Sequence, residues 1–417
     1  MEQREIKLKN TEIEIKGGLI ALFLIISTII LSGISEYINA TYIPSVQPVI
    51  WAIIWVFICL FIYFSELKFK THCFLETILV EPMVWWVAVY LIFACLSICL
   101  HGVNAYSVEE SLRRFSSMGL LLTAIISLHS YRIKALLLCA SFHAGWILAL
   151  TVILSFLRIF FINSQHCQAA GLYLNPNAAA CALSCLLLVN SSSSNRKISF
   201  SWYEILLITA LLLTMSRSGI LIGLTCVFLI LYQYHLNVTR FAIRVVLSVT
   251  TVLFILCISS PWNSEAYICA KNAFKNRLEF LTIIPSPEND MRDKTSAGLR
   301  IDLAKKALSS FASNPIFGSG FDESLKSGRS HNFLLELISQ HGIFGFFLFI
   351  SFFYILGKRI GFLWVLPIFF IGFFDHAPLY NRTILFSLAL LYSMRRVVTN
   401  LPGDGCIQAR LTRNRVM

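Results

Sequence analysis

Apolar runs separated by short polar joints fill most of the chain, and one polar stretch, Pro261 to Ser330, interrupts the series. Twelve runs are evident, near 18–34, 47–65, 80–100, 116–130, 135–161, 176–190, 201–215, 219–234, 241–260, 331–357, 360–375 and 380–396. Most approach the roughly 20 residues a helix needs to cross a hydrocarbon core of about 30 Å. The runs 116–130, 176–190 and 201–215 are shorter. The pattern predicts an all-α polytopic membrane protein with about twelve transmembrane helices and one long extramembrane loop. Its segments are 1–260 with nine helices, the loop 261–330, 331–396 with three helices, and a tail, 397–417. Composition agrees: 57% of the 417 residues are apolar and mean hydropathy is +0.73, above the roughly half apolar content of soluble domains. The polar start, Met1 to Gly18, leads into the first run with no small-residue cleavage site after it, so that run reads as an uncleaved first helix.

Lysine and arginine fix orientation because they resist translocation. Arg4, Lys7, Lys9 and Lys16 precede the first run. Alternate joints then carry Lys68 and Lys70, Arg132 and Lys134, Arg196 and Lys197, Arg240 and Arg244, and Lys358 and Arg359, with Arg395 and Arg396 at the end of the last run and Arg410, Arg413 and Arg415 in the tail. Both termini are therefore placed inside and the long loop outside, where a loop of that length escapes the charge rule. Four arginines break the pattern on the outer side. Arg113 and Arg114 precede the run 116–130, Arg217 sits in the tight turn Met215-Ser-Arg-Ser-Gly219, and Arg382 lies at the start of the last run. Such charges snorkel to headgroups or pair with acids, here Glu109, Glu110 and Asp375. Arg217 has no acidic neighbour in sequence, and its planar fork suits a phosphate or pyrophosphate.

Within the loop, Leu299, Leu303, Ala307, Leu308 and Phe311 recur at helical spacing, while Arg300, Asp302, Lys305, Lys306 and Ser309 take other faces. Ser296 can cap such a helix and Asn314-Pro315 ends it. An amphipathic helix of this kind lies on the outer membrane face, with its lysines solvating it or touching anionic lipid. The loop runs directly into His331-Asn332, where a titratable ring meets the start of an apolar run. The twelve cysteines are not a disulfide scaffold: Cys59, Cys95, Cys99, Cys181, Cys185 and Cys226 lie in apolar runs, where Cys acts as a small hydrophobe. Cys167 and Cys269 fall in outer segments, and their pairing stays open. No Cys/His spacing calls for a metal, no cofactor is implied, and nothing indicates a nucleic-acid partner.

Several pieces together resemble one family. Gly171-Leu-Tyr-Leu-Asn175-Pro176-Asn177 enters the run 176–190, Ser216-Arg217-Ser218-Gly219 forms an outer turn, and Gly298-Leu-Arg300 opens the loop helix. Pro315-Ile-Phe-Gly318-Ser-Gly320 follows, and then His331-Asn332 with Gly342 and Gly345. In order and topology these residues, spread over 171–345, resemble the O-antigen ligases and their relatives, the O-antigen polymerases and bacterial O-oligosaccharyltransferases. Each motif alone is short and frequent; the ordered set is more specific. The resemblance implies a GT-C-like, multi-pass protein of the bacterial inner membrane, surrounded by membrane lipids, with its site facing the periplasm. It implies a glycosyltransferase of lipopolysaccharide biosynthesis that moves O-antigen polysaccharide from undecaprenyl pyrophosphate to a sugar of lipid A–core. By position, Arg217 and Arg300 match the family's functional arginines, His331 its histidine, and Asp375 an acidic residue of the last outer turn. Arg113 and Arg114 enter as substrate-binding candidates from charge alone, beside Arg382 and Asn332.

A sugar attached to pyrophosphate has a good leaving group, so its departure needs dispersal of negative charge more than a proton. Two arginines supply that without a metal, and a neutral His331 can take the proton of the acceptor hydroxyl. Glycosidases pair two carboxylates because they expel an alkoxide, and no outer-facing pair stands out in this sequence. The reading is a metal-independent, inverting transferase with Arg217, Arg300 and His331 catalytic. Polymerisation and protein O-glycosylation are the alternatives within the family, and a transporter or flippase of a lipid-linked glycan is the alternative outside it. Transporters place substrate charges at mid-membrane and often show internal repeats, whereas here the candidates cluster on the outer side. His341 and His376 are secondary candidates, and His143 packs within its helix. The orientation has a direct test: in a cysteine-free background, Asp290→Cys should react with an impermeant maleimide added from outside. Reaction only after the inner membrane is opened would reverse the placement of the loop.

Overall fold

A computed structural model of the chain describes residues 2–41, 49–67, 80–103, 105–128, 130–157, 169–173, 175–193, 202–214, 216–234, 246–247, 250–251, 296–321, 332–374 and 381–394. Every regular element among them is helical. In chain order these are Glu2–Leu31 (α1), Ile34–Thr41 (α2), Val49–Leu67 (α3), Pro82–His101 (α4), Ala105–Ser127 (α5), Tyr131–Phe156 (α6) and Pro176–Ser193 (α7). Then follow Trp202–Leu213 (α8), Arg217–Tyr234 (α9), Ser296–Ser313 (α10), Phe333–His341 (α11), Ile343–Ile360 (α12), Phe362–Phe374 (α13) and Arg382–Met394 (α14). A 3-10 turn, Gly171–Tyr173, precedes α7. Three helices, α4, the Arg132–Phe156 part of α6, and α12, are long and apolar enough to cross a membrane, and seven shorter apolar helices accompany them. At 1.5 Å per residue, the 18-residue α12 is about 27 Å long, close to the thickness of a hydrocarbon core. Most of the run 241–260, the loop up to 295, Cys167, Cys269 and the tail lie outside the described residues.

Two expectations need correction. The run 331–357 is not one span but two helices, α11 and α12, meeting at Gly342. Gly342 has φ +62°, and a Cβ there would sit 2.3 Å from the Ile316 carbonyl oxygen; only glycine accepts both conditions. The run 116–130 is the second half of a helix that begins at Ala105, so Arg113 and Arg114 lie inside α5 rather than ahead of it. The polar first turns are helical partly because Glu109 and Arg113 stand four residues apart and pair.

Two helices form the centre. Ala179 to Val189 of α7 and Arg382 to Tyr392 of α14 are buried without a break, and α14 packs against α1, α5, α6, α7 and α12. A helix apolar on all sides is one that is covered on all sides. Lipid offers little hydrophobic gain for helix association, so close approach through small residues carries much of it. Ala179, Ala180, Ala182 and Ser184 supply such a surface on α7. Gly219 of α9 comes so near that a Cβ would lie 2.2 Å from that of Ala180. Trp55 fills space beside α14, its indole N–H donating to Ser27 Oγ at 2.9 Å and its ring meeting Phe386 edge-on at 4.5 Å.

Polar side chains gather at the two ends of the bundle. At one end, Arg359 Nη2 lies 3.1 Å from Glu81 Oε1, the Tyr392 hydroxyl donates to Glu81 Oε2 at 3.0 Å, and Lys134 Nζ donates to the Ser393 carbonyl at 3.2 Å. Lys134 and Arg359, used above only as markers of orientation, thus join helices α4, α6, α12 and α14.

The loop helix α10 packs on α11 and buries Leu303 and Ala307, while Ile301 and Leu308 stay exposed. Its packed side is narrower than the sequence spacing suggested. Residues Pro315 to Phe321 then clasp the junction of α11 and α12. The Ile343 amide donates to the Pro315 carbonyl and the Ser319 amide to the Ser339 carbonyl, both at 2.8 Å. Gly318 (φ +74°) leaves no room for a side chain, since a Cβ would meet the Gln340 carbonyl carbon at 2.4 Å; at Gly345 one would meet the Leu337 oxygen at 2.0 Å. His101, at the end of α4, reaches the Gly318 carbonyl with Nε2 at 3.1 Å. The glycines of the Pro315–Gly320 motif and of the α12 start are therefore contact points between loop and bundle. A left-handed φ costs other residues about 1–3 kcal/mol, and at Gly318 and Gly342 the new methyl also meets backbone. Gly318→Ala and Gly342→Ala should each lower the thermal midpoint of the purified protein in detergent, and Gly119→Ala, which meets nothing within 4 Å, should not. Equal midpoints for all three would remove the packing role of the clasp.

Candidate functional site

The arginines collect at the other end of the bundle, where the starts of α7, α9, α11 and α14 lie with the ends of α1 and α4. Two helix N-termini meet there directly. Asn175 caps α7, its side-chain oxygen accepting from the Asn177 amide at 2.9 Å, and Ser216 caps α9, its hydroxyl oxygen accepting from the Gly219 amide at 3.1 Å. The caps are joined, because Ser216 Oγ donates to Asn177 Oδ1 at 2.6 Å. Asn175-Pro-Asn177 and Ser216-Arg-Ser-Gly219 are thus the two halves of one paired helix start. Packed N-termini sum their partial positive charge and favour an anion. Arg217 is the first residue of α9; its side chain lies outside the described residues, as do His331 and Asp375 altogether.

Arg114, among the candidates on charge alone, is fully buried (0% exposed). Its Nη1 donates to the Tyr90 hydroxyl at 2.7 Å and its Nη2 to Gln340 Oε1 at 2.7 Å. Glu110 Oε1 lies 3.2 Å and Glu336 Oε1 3.4 Å from Nη2, and the guanidinium carbon stands 4.2 Å from the centre of the Phe321 ring. The group is enclosed by protein and joins α4, α5 and α11. His341 is buried beside it, edge-on to Phe321 and Tyr90 with centroids 5.5 and 6.0 Å away.

Arg113, one position on, is half-exposed, with Nη2 2.7 Å from Glu109 Oε1. Arg382, the first residue of α14, is 7% exposed, and its Nη1 lies 3.5 Å from Glu36 Oε1, an ion-pair distance without hydrogen-bond geometry. The next residue, Thr383, accepts from the Tyr173 hydroxyl and donates to the Leu31 carbonyl at 3.0 Å, which fixes the start of α14 against the end of α1. Asn332 caps α11 through a 3.0 Å bond from the Leu335 amide, and its Nδ2 donates to the Phe373 carbonyl at 3.0 Å. It therefore anchors α11 to the end of α13. Arg300 is half-buried and precedes Leu303 and Ala307 by three and seven residues, so it shares their face toward α11. Lys305 and Lys306 are exposed.

The structure sets Arg300 and Asn332 on one joined unit and withdraws Arg114 into the interior. Tyr90, Phe321, Glu336 and Gln340 went unnoticed in the sequence. A carboxylate and an amide four residues apart in an apolar run were the one available signal. Among the described residues no three His, Cys, Asp or Glu side chains gather so as to hold a metal ion.

A bundle with apolar helices, charged ends and arginines at one of them defines a helical membrane protein. Residues 202–350 match the family model described as O-Antigen ligase, and the chain carries that family's domain there. The matched segment runs from α8 into α12 and includes Arg217, Arg300, the clasp, His331 and Asn332; Arg113, Arg114, Asp375 and Arg382 fall outside it. Among curated proteins none matches the chain. The family supports an enzyme of glycosyltransferase type with a role connected to lipopolysaccharide. The two neighbouring arginines of α5 should behave very differently. Arg114→Ala leaves Glu110 and Glu336 buried without their cation and should cost about 3–5 kcal/mol. Arg113→Ala removes a half-exposed pair worth about 1 kcal/mol at most. Comparable thermal midpoints for the two purified variants would contradict this account of α5.

Proposed function

We propose that this protein transfers an O-antigen polysaccharide from undecaprenyl pyrophosphate to a sugar of lipid A–core at the periplasmic face of the bacterial inner membrane. The observation that carries the reading is the family match over 202–350, which spans Arg217, Arg300 and His331. The reading takes 261–330 as the periplasmic loop between the membrane helices of 1–260 and 331–396, with 397–417 as a cytoplasmic tail. The pyrophosphate is placed at the joined N-termini of α7 and α9, where Arg217 begins α9 and the backbone field is already positive. Arg300 approaches from α10 on the side turned toward α11. The acceptor hydroxyl oxygen attacks the anomeric carbon from the face opposite the pyrophosphate and passes its proton to His331. The bond from the anomeric carbon to the phosphate oxygen breaks with its electron pair, and undecaprenyl pyrophosphate leaves with its charge dispersed over the two guanidinium forks. The role of His331 rests on the resemblance and on its place directly before Asn332. Arg113, Arg382 and Asp375 are proposed as contacts on the acceptor side.

Purified protein in lipid, given the lipid-linked glycan and lipid A–core, should form the joined product without added divalent metal. Lysine lacks the planar fork, so Arg217→Lys should lose most of this activity although the charge is kept. His331→Ala should still bind donor and lose roughly a hundredfold to ten-thousandfold in transfer, and wild-type transfer should decline at acid pH as the ring protonates. Longer glycan formed from donor alone would instead identify a polymerase. Movement of the donor across vesicles with no glycosidic product would sink the enzyme reading.

A further inference from the structure

We infer that Arg114 is a positioning residue for transfer: it ties the unit made of α10, the clasp and α11, which carries Arg300 and Asn332, to the membrane helices α4 and α5. The inference rests on the reading above for what Arg300 does. A single guanidinium touches this unit in two places that are far apart in sequence. Phe321, the last residue of the clasp, lies under it at 4.2 Å, and Gln340 of α11 accepts from it at 2.7 Å with Glu336 at 3.4 Å. On the opposite side it is held by Tyr90 of α4 at 2.7 Å and by Glu110 of its own helix at 3.2 Å.

The unit is joined internally by contacts that do not involve Arg114. The Ser319 amide donates to the Ser339 carbonyl, joining the clasp to α11, and α10 lies on α11 along the face that Arg300 shares. It therefore moves as one piece, and the arginine sets where that piece sits against α5. The geometry fixes orientation as well as distance. In-plane N–H groups point at Tyr90, Gln340 and both carboxylates while the face stacks on Phe321, so neither a shift along the plane nor a tilt leaves the contacts intact. Gln340 itself donates to Glu336 Oε1 at 3.2 Å, which holds the amide in the orientation that accepts from Arg114. Misplacing a phosphate-binding group by about 1 Å costs on the order of 100-fold in rate. A small displacement of this unit is thus enough to be read in transfer.

The test compares full-length purified Arg114→Lys, Gln340→Ala and Arg300→Ala with both double variants that include Arg300→Ala. Gln340→Ala removes the amide that links Arg114 and Glu336 but leaves the buried charges in place, so it decides the matter even where Arg114→Lys fails to fold. Each of the first two should lower kcat/KM for the lipid-linked donor by about 10- to 100-fold, with faster amide hydrogen exchange at 316–321 and 333–341 and unchanged exchange in α14. Adding either to Arg300→Ala should cost no more than about twofold further, because the losses act through the same group. Losses that multiply in the double variants, or exchange unchanged in both segments, overturn the positioning role while leaving the transferase reading intact. Arg300→Ala transferring at the wild-type rate overturns the reading of Arg300 itself, and the inference falls with it.

Discussion

The buried guanidinium of Arg114 sets the terms for the rest of this end of the molecule. A charge taken out of water loses several kcal/mol of solvation unless its environment replaces every lost contact. Here the replacement comes from α4, α5, α11 and the end of the clasp, from residues up to 226 positions away from Arg114 in sequence. None of these can relax independently without exposing the others to an uncompensated charge. An apolar residue of the same volume would pack there more cheaply, but it would not impose a direction. The arrangement trades stability for a fixed relation between an extramembrane segment and the helices beneath it.

The same end shows how short motifs serve packing and chemistry together. Asn175, Asn177, Ser216 and Gly219 cap and join two helices, and by doing so they set two helix N-termini side by side where Arg217 begins its helix. The glycines of the clasp act differently. They remove side chains so that backbone meets backbone, which lets a loop be seated on the bundle by main-chain hydrogen bonds. Arg300 and Asn332 inherit their placement from that seating.

Much of this architecture was legible in the sequence, for a simple reason. Hydropathy averaged over a helix length reports burial in lipid, and ten of the twelve predicted runs each fall on one helix among the described residues; Ser296 to Ser313 also emerged from its spacing. The break at Gly342 was not legible, since both halves of 331–357 are apolar and the signal lies in a backbone angle. Arg114 was read as one of two adjacent surface charges. Position along a helix separates them: one hundred degrees of rotation turns Arg113 to the rim and Arg114 inward. Its partners could not be named because Glu336 and Gln340 lie more than two hundred residues away, and one sequence carries no record of who meets whom. Spacing grouped Arg300 with Lys305 and Lys306 on the polar faces, and only the family resemblance set it apart; its half-burial beside the exposed lysines now separates them.

The central position of α14 has a consequence for how the chain is built. The helix that every other layer surrounds is the last one along the described chain, with Thr383 received by Leu31 and Tyr173 at one end and Tyr392 by Glu81 at the other. Until it arrives, α1, α5, α6, α7 and α12 lack the helix they all pack against. The earlier helices reach their final packing only once this segment is inserted, so the arginine-bearing end is completed by the same event that fills the centre.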